Sequence, residues 1–292
     1  INYDVTGYCE ILPGFNVGSN IVLKRFCNDT KDIIFRKSSN SMLRIDRDFQ
    51  NKTIFCKYSG CVNDCSNFIA AVVETFVINV VYMLGYFPVH GAVLKNGSMC
   101  IALCGGSGVG KSTTALQLLS QGGFLLSNDL FYLDTKTMWG YSLDKTLGMR
   151  ELGFGPVSKY VEEIKMKAPY IYSTDQRYYD MQLYLKNKYT VAEKLDAIFF
   201  LKKTAGISTS VGNICSFKDF MDCCIFPSKI IDKKINFLEC YKEIKANCLT
   251  FQMELPDFRW MPDDKMRNYI VDWDMLIEFY VESRCKDVAR AK

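Results

Sequence analysis

A glycine-rich segment near the middle of the chain combines residue types that bind a polyphosphate. It reads Gly-Gly-Ser-Gly-Val-Gly-Lys-Ser over residues 105–112 and fits the pattern G-x-x-x-x-G-K-[ST] at every position. Glycines let backbone N–H groups converge on phosphate oxygens, and the start of a following helix adds partial positive charge. The lysine reaches the β and γ phosphates, and the serine hydroxyl reaches magnesium. The segment therefore predicts binding of a nucleoside triphosphate with Mg²⁺.

The predicted ligand contacts extend from this segment to an acidic residue downstream. We expect the nucleotide to contact Gly105, Gly106, Ser107, Gly108, Val109, Gly110, Lys111, Ser112 and Thr113. Asp129 lies two residues after the end of an apolar run at 124–127, and an aspartate at the end of a buried strand holds Mg²⁺ in proteins with such a loop. Ser112 and Asp129 are therefore the predicted metal ligands. The alternative is that Asp129 only forms a turn at the strand end.

The elements around the segment follow an α/β pattern. Apolar runs predict strands at 89–94 and 99–104, and the Asn-Gly pair within residues 95–98 is a strong hairpin signal. Residues 111–120 predict the helix that follows the loop, and 124–127 predict the next buried strand. Strand, loop, helix and strand in this order indicate a βαβ nucleotide-binding core.

The rest of the chain divides into a β-rich beginning and a larger second part. Residues 1–65 predict short strands, at 21–23, 33–35 and 53–55, and residues 66–84 predict a helix. Further strands are predicted at 197–201 and 250–255, and further helices at 217–226, 235–245 and 272–281. We expect a β-rich region at 1–65 and one catalytic domain at 66–292.

Composition limits the classes of partner. Hydrophobic residues make up 49% of the 292 residues, and a net charge of +4 does not predict nucleic-acid binding. The most apolar stretch, 68–84, is shorter than a membrane span and carries Glu74, so a buried helix is the better interpretation. Thirteen cysteines, several in apolar runs, indicate a reducing compartment, and residues 1–5 lack the order of a secretory signal. We expect a cytoplasmic protein without membrane or nucleic-acid partners.

The order of motifs resembles a known family. His90-Gly91-Ala92-Val93, a hairpin, the glycine loop, a helix and then Leu125-Leu126-Ser127-Asn128-Asp129 resemble the catalytic domain of HPr kinase/phosphorylase and its relatives, which include peptide-modifying kinases from natural-product clusters. The resemblance covers about residues 68–155 and is most specific over 90–129. It implies a P-loop core of the HPr kinase C-terminal-domain type and phosphorylation of a hydroxyl, often a serine, that depends on ATP and Mg²⁺.

The resemblance also implies catalytic residues. In the family, a histidine before the loop and two consecutive aspartates after it cluster at the γ-phosphate, and these positions correspond to His90, Asn128 and Asp129. Asn128 departs from the pattern, because an amide cannot accept a proton at neutral pH. Three explanations stay open: Asp129 serves alone, the enzyme is weakened or repurposed, or the asparagine is an engineered replacement. His90, the only histidine, has the alternative role of a hydrogen-bonded residue at a strand start.

A second family signature is present in a degraded form. Residues 147–153 resemble Glu-x-Arg-Gly-x-Gly, with Gly148 where the family has glutamate, while Arg150 and Gly153 remain. Arg150 would neutralise phosphoryl charge or, alternatively, be a surface arginine. The missing glutamate puts a family metal or substrate contact in doubt, and with it the partner activity that uses inorganic phosphate.

Two weaker patterns have structural explanations. Cys56, Cys61 and Cys65 would need a fourth ligand to hold zinc, and their spacing misses the common zinc patterns, so free thiols are favoured. Aromatic residues between 170 and 184 with nearby lysines suit a substrate-binding loop, but a partly buried surface element is favoured. This cluster consists of Tyr170, Tyr172, Arg177, Tyr178, Tyr179 and Tyr184.

The leading hypothesis is an ATP- and Mg²⁺-dependent kinase that acts on a serine or threonine of a peptide or protein. A small-molecule alcohol is the alternative acceptor. A nucleotide-binding regulator without catalysis is the alternative from another class, and Asn128 motivates it. A motor or transport ATPase would need further motifs that the sequence does not show. Because HPr kinases are hexamers, a homo-oligomer is an open expectation.

Overall fold

A computed structural model of the 292-residue chain shows two compact units. One unit is Ile1–Val80 with Pro227–Lys233, and the other is Val81–Phe226 with Lys234–Lys292. The structure describes residues 15–16, 22–25, 33–38, 41–48, 53–59, 81, 84–142, 146–149, 158–168, 170–172, 177–181, 191–204, 209–212, 216–223, 237–257 and 271–290.

The first unit contains a five-stranded antiparallel sheet. Its strands are β1 (Phe15–Asn16), β2 (Val22–Arg25), β3 (Ile33–Ser38), β4 (Ser41–Asp48) and β5 (Thr53–Ser59). Each strand pairs with the next one along the chain. The apolar runs predicted as strands at 33–35 and 53–55 fall in β3 and β5, and residues 22–23 of the run at 21–23 fall in β2. The boundary expected after residue 65 stays a prediction, because residues 60–80 lie outside the described part of the chain.

The second unit is α/β, in agreement with the sequence, and contains twelve described strands. They are β6 (Phe87–Asn96), β7 (Met99–Cys104), β8 (Phe124–Ser127), β9 (Leu130–Leu133), β10 (Trp139–Tyr141), β11 (Thr146–Met149), β12 (Tyr170–Tyr172), β13 (Arg177–Asp180), β14 (Ala192–Lys194), β15 (Ala197–Thr204), β16 (Ser210–Gly212) and β17 (Leu249–Pro256). Nine of them form a mixed sheet in the order β14-β10-β9-β6-β7-β15-β17-β16, with β8 also paired to β6.

The second unit also contains five described helices. They are α1 (Lys111–Ser120), α2 (Ser158–Lys167), α3 (Phe217–Met221), α4 (Phe237–Asn247) and α5 (Trp273–Arg290). Four of them agree with helices predicted from sequence, although α3 ends earlier and α5 runs further than predicted. The helix predicted at 66–84 lies almost wholly outside the described residues. No helix within the described ranges is long and apolar enough to cross a membrane.

The predicted hairpin is confirmed, with its turn shifted along the chain. Asn96 pairs with Met99, so Gly97 and Ser98 form the two-residue turn between β6 and β7. Gly97 has a φ of +57°, which glycine adopts without steric cost. All six residues of β7 are buried, because the strand lies inside the sheet between β6 and β15.

The strands on either side of α1 are not neighbours in the sheet. Both β7 and β8 pair antiparallel with β6, so they run parallel to each other with β6 between them. The βαβ connection predicted from sequence is therefore present but crosses over one strand. On the other side, β7 pairs in parallel with β15, and β15 pairs in parallel with β17.

Polar contacts attach α1 to the start of α5. The side-chain oxygen of Gln117 accepts a hydrogen bond of 3.1 Å from the backbone N–H of Val271. The indole N–H of Trp273 donates to the carbonyl oxygen of Leu118 at 2.9 Å. Both side chains are almost fully buried. Since α1 follows the glycine loop directly, these contacts help to fix the position of the loop.

The aromatic cluster lies largely in a small separate sheet. The sheet has the order β11-β13-β12 and contains Tyr170, Tyr172 and residues 177–179. Tyr179 is 1% exposed and belongs to the hydrophobic core. These described members are therefore strand residues rather than parts of a binding loop.

We predict that the core beneath the loop depends on two stacked phenylalanines. The rings of Phe199 and Phe251 lie 4.9 Å apart, and both residues are fully buried. Phe199→Ala should lower the free energy of unfolding by about 3–5 kcal/mol, because it leaves a cavity. Phe124→Ala, at a position 38% exposed, should stay within about 0.5 kcal/mol. Equal losses in urea denaturation would show that the stack does not stabilise the fold.

Candidate functional site

Strand β7 ends between two strands that both continue past it. Cys104, at the end of β7, pairs with Gly91 of β6 on one side and with Phe200 of β15 on the other. On the far side of β6, His90 pairs with Leu130 of β9. In open α/β sheets, ligands bind outside the carboxyl ends of the parallel strands. This edge, where β7 ends and the glycine loop begins, is therefore the candidate site.

The glycine loop is held against the neighbouring strand. Gly105 passes so close to β15 that a Cβ atom on it would lie 2.9 Å from the carbonyl oxygen of Leu201. Gly110 is the N-cap of α1 with a φ of 114°, in the left-handed region that favours glycine. It has no side chain to cap the first-turn N–H groups of the ten-residue helix. Such a helix start is suited to an anion.

Lys111 places a buried ammonium group in this loop. The residue is only 6% exposed, and its Nζ donates to the carbonyl oxygens of Gly105 at 2.9 Å and Gly106 at 3.0 Å. Burial lowers the pKa of Lys111 below its usual value, and the nearby negative charge of Asp129 works against that shift. An ammonium group has three donors, so the two carbonyls leave one for a further partner.

His90 and Asp129 form a hydrogen-bonded pair beside the loop. His90 Nε2 lies 2.9 Å from Asp129 Oδ1, and the N–H of Gly91 donates to the Asp129 carbonyl oxygen at 2.9 Å. The hydrogen bond from His90 lowers the pKa of the Asp129 carboxyl, burial opposes the shift, and the charge of Lys111 adds to the lowering. The two groups that the sequence places on separate elements are thus brought together.

Asn128 contains a buried oxygen that lacks a partner. The residue is 3% exposed, and its Oδ1 accepts no hydrogen bond within the described part of the chain. An unsatisfied buried acceptor costs about 1–3 kcal/mol. Such an atom calls for a missing donor or cation. Because Asn128 directly precedes Asp129, its oxygen suits a substrate hydroxyl, a metal-bound water or a metal ion.

The oxygen atoms near the loop fit magnesium bound together with a polyphosphate. Across the described ranges, no three His, Cys, Asp or Glu side chains cluster closely enough to hold a metal ion themselves. Mg²⁺ bound with phosphates takes only one or two protein oxygens and completes its shell with phosphate and water. The Ser112 hydroxyl, the Asp129 carboxylate and the orphan oxygen of Asn128 are the right donor types for that role.

A lysine–aspartate pair beside the loop is not anticipated by the sequence motifs. Lys202 Nζ lies 2.7 Å from Asp219 Oδ1 and donates to Gln252 Oε1 at 3.1 Å. Asp219 is 7% exposed, and its Oδ2 accepts hydrogen bonds from the N–H and the hydroxyl of Ser216. The sequence did contain one signal for this pair, because Lys202 and Lys203 directly follow the apolar run at 197–201. The carboxyl end of that predicted strand reaches the edge of the sheet where ligands bind.

An open cleft separates the loop from the end of β15. It has a volume of about 500 Å³ and is lined by residues 106–109 and 201–203. Lys202 and Lys203 provide its cationic side, and Lys203 Nζ lies 3.2 Å from Asp257 Oδ1. The volume is within the range of small-molecule sites.

Some predicted residues lie outside the described residues. They include Arg150, so its role at the site stays a prediction, whereas Gly148 lies in β11 opposite Tyr178. Cys61 and Cys65 are also outside, while Cys56 lies in β5. The rest of the predicted site, from the loop through Thr113 to Asp129, belongs to the second unit.

Comparisons with known proteins add little to this geometry. No protein-family model and no curated protein matches the chain. Among solved structures, the chain is similar to the Hpr(Ser) kinase/phosphatase from Coxiella burnetii, with 12% identity and a TM-score of 0.32 over 69% of this chain and 98% of that chain. A TM-score of 0.32 carries no argument about function.

We predict that His90 controls the acidity of Asp129. His90→Ala removes the donor that lowers the pKa of Asp129, so this pKa should rise toward the ordinary aspartate value of about 3.9. The measurement is a carbon NMR titration of aspartate carboxyls in wild type and variant. Asp134, which is bonded to Thr137 in its own turn, is the internal reference and should not change. An Asp129 pKa equal in both proteins would contradict the assignment.

Proposed function

We propose that this chain binds ATP with Mg²⁺ and transfers the γ-phosphoryl group to a hydroxyl acceptor. The observation that carries the proposal is the buried Lys111 ammonium, held against the loop carbonyls and close enough to Asp129 for their charges to interact. A cation removed from water attracts an anion more strongly than a solvated one. The loop, the helix start and this cation together form a site for a polyphosphate.

Binding uses the backbone N–H groups of the loop and one lysine that changes partners. The N–H groups of the loop and of the first turn of α1 would bind the phosphate oxygens. Lys111 would turn from the carbonyls of Gly105 and Gly106 to the β and γ phosphates, exchanging neutral acceptors for charged ones. Phosphoryl transfer depends mainly on such positioning and charge neutralisation.

The transfer step is assigned to the His90–Asp129 pair. The acceptor oxygen forms a bond to the γ-phosphorus while the bond from that phosphorus to the bridging oxygen breaks and ADP leaves. Asp129 Oδ1 is occupied by His90 Nε2, so Oδ2 is the oxygen that takes the hydroxyl proton. His90 would orient the carboxylate, and Asn128 Oδ1, which is buried without a partner, would accept the hydroxyl hydrogen bond before transfer.

Magnesium would be held by the Ser112 hydroxyl and, through one of the waters that Mg²⁺ keeps, by the Asp129 carboxylate, which leaves Oδ2 able to take the proton. The metal would supply charge neutralisation on the phosphates. The acceptor is a serine or threonine of a peptide or protein, or a small alcohol. The oxygen chemistry at Asp129 is the same for both.

A regulator that binds nucleotide without turnover is the second candidate. Asn128 favours it, because a buried amide cannot take a proton where the resembled family has an aspartate. Asp129 is then the remaining carboxylate at this strand end, and its lowered pKa makes it a weak base.

We predict that Lys111 carries nucleotide binding. Lys111→Ala should weaken the binding of Mg·ATP about 10- to 100-fold, because it removes a charge-assisted bond to the phosphates. Titration calorimetry measures the affinity. Lys95→Ala is the control, since Lys95 forms an ion pair of 2.8 Å with Glu193 at the opposite end of β6. No heat with the wild type, or equal affinities for both variants, would reject the proposed function.

We predict that a carboxylate at position 128 adds a stronger base than Asp129 and speeds proton transfer. In Asn128→Asp the new carboxyl would be buried beside Asp129, so its pKa should be raised toward that of an effective base. ADP release from Mg·ATP, with water as the acceptor, should then increase about 10²-fold or more. If the variant binds Mg·ATP as tightly as the wild type yet turns over no faster, the regulator is the better description.

A further inference from the structure

The His90–Asp129 pair and Lys202 lie on opposite sides of the glycine loop. His90 and Asp129 belong to the side of β6 and β9, whereas Lys202 lies near the end of β15 on the other side of β7. Neighbouring strands are about 4.8 Å apart, so β6 and β15 are separated by about 10 Å. A triphosphate that lies across the loop is long enough to span such a distance.

This arrangement sets a direction for the ligand. In the proposed function, the γ-phosphate must reach Asp129. The α-phosphate and the nucleoside then point away from β6, toward β15 and the cleft of about 500 Å³. The cleft borders the loop at residues 106–109, so a ligand that leaves the loop on this side enters it directly.

We propose that the cleft receives the nucleoside end of the ligand and that Lys202 binds the phosphate next to the nucleoside. The inference rests on the proposed function, because it takes the direction of the ligand from the site of transfer. Lys202 is a binding residue in this account and takes no part in proton transfer.

Lys202 is held in place for this role before a ligand arrives. Asp219 and Gln252 accept two of its three N–H donors, at 2.7 and 3.1 Å, which leaves one donor on a side chain that is 43% exposed. Asp219 is itself fixed by two hydrogen bonds from Ser216. Burial opposes ionisation of Asp219, but Lys202 and Ser216 lower its pKa overall, which favours the carboxylate that holds Lys202.

The short helix α3 connects the two sides of the site. It contains Asp219, which holds Lys202. Cys223, two residues after the helix, accepts the backbone N–H of His90 with its carbonyl oxygen at 3.0 Å. The same segment therefore supports Lys202, which is assigned to the nucleoside end of the ligand, and His90, which lies at the γ-phosphate end. A lysine that served only to neutralise Asp219 would not need to line the cleft.

The test measures binding of Mg·ADP by titration calorimetry. Lys202→Gln keeps a donor toward Asp219 but loses the charge, and it should weaken binding about tenfold. Lys202→Arg keeps the charge and should retain most of the affinity. Lys95→Gln is the matched control, because Lys95 also pairs with a part-buried carboxylate, and it should bind as the wild type does. Thermal melting of each variant separates loss of fold from loss of binding.

The outcomes distinguish this inference from the proposed function. If the wild type binds neither Mg·ADP nor Mg·ATP, both are rejected. If the wild type binds and Lys111→Ala does not, but Lys202→Gln binds as tightly as the wild type, only the inference is overturned. In that case, a higher KM for the acceptor in Lys202→Gln than in the wild type would show that the lysine binds an anionic group of the acceptor instead.

Discussion

The burial of one ammonium group constrains the whole candidate site. Lys111 has left water, and its desolvation is offset by the carbonyl oxygens of Gly105 and Gly106 and by the nearby Asp129. Those carbonyls point at the ammonium only if the loop keeps its path. The path in turn needs glycine where the loop touches the backbone of Leu201. Strand β15, the loop and helix α1 therefore depend on one another.

The groups around this ammonium differ in how well they are satisfied. His90, Asp129 and Lys202 all have partners within hydrogen-bond distance, which fixes their positions before any ligand binds. Asn128 Oδ1 has no partner in the described chain, although it is buried beside Asp129. A preorganised set of charges with one unsatisfied acceptor is typical of a binding site, because the ligand supplies the missing donor.

The loop and its local elements could be predicted from sequence because their signals are local. The glycine spacing, the apolar run at 99–104 and the helical run at 111–120 each act within a few residues, and Asp129 follows directly from its strand. The position of β8 beside β6 could not be predicted, because strand pairing depends on long-range packing. The Lys202–Asp219 contact was missed for the same reason, since its partners lie on separate elements.

The pKa of Lys111 tests the central claim most directly. Carbon NMR of the lysine side chains, with Lys111→Arg to assign the signal, would follow this pKa in the free protein and with Mg-bound tripolyphosphate. Burial should hold the pKa below that of an ordinary lysine in the free protein, and the polyphosphate charge should raise it on binding. An ordinary pKa in the free protein, unchanged when the polyphosphate is added, would contradict a desolvated cation that binds phosphate.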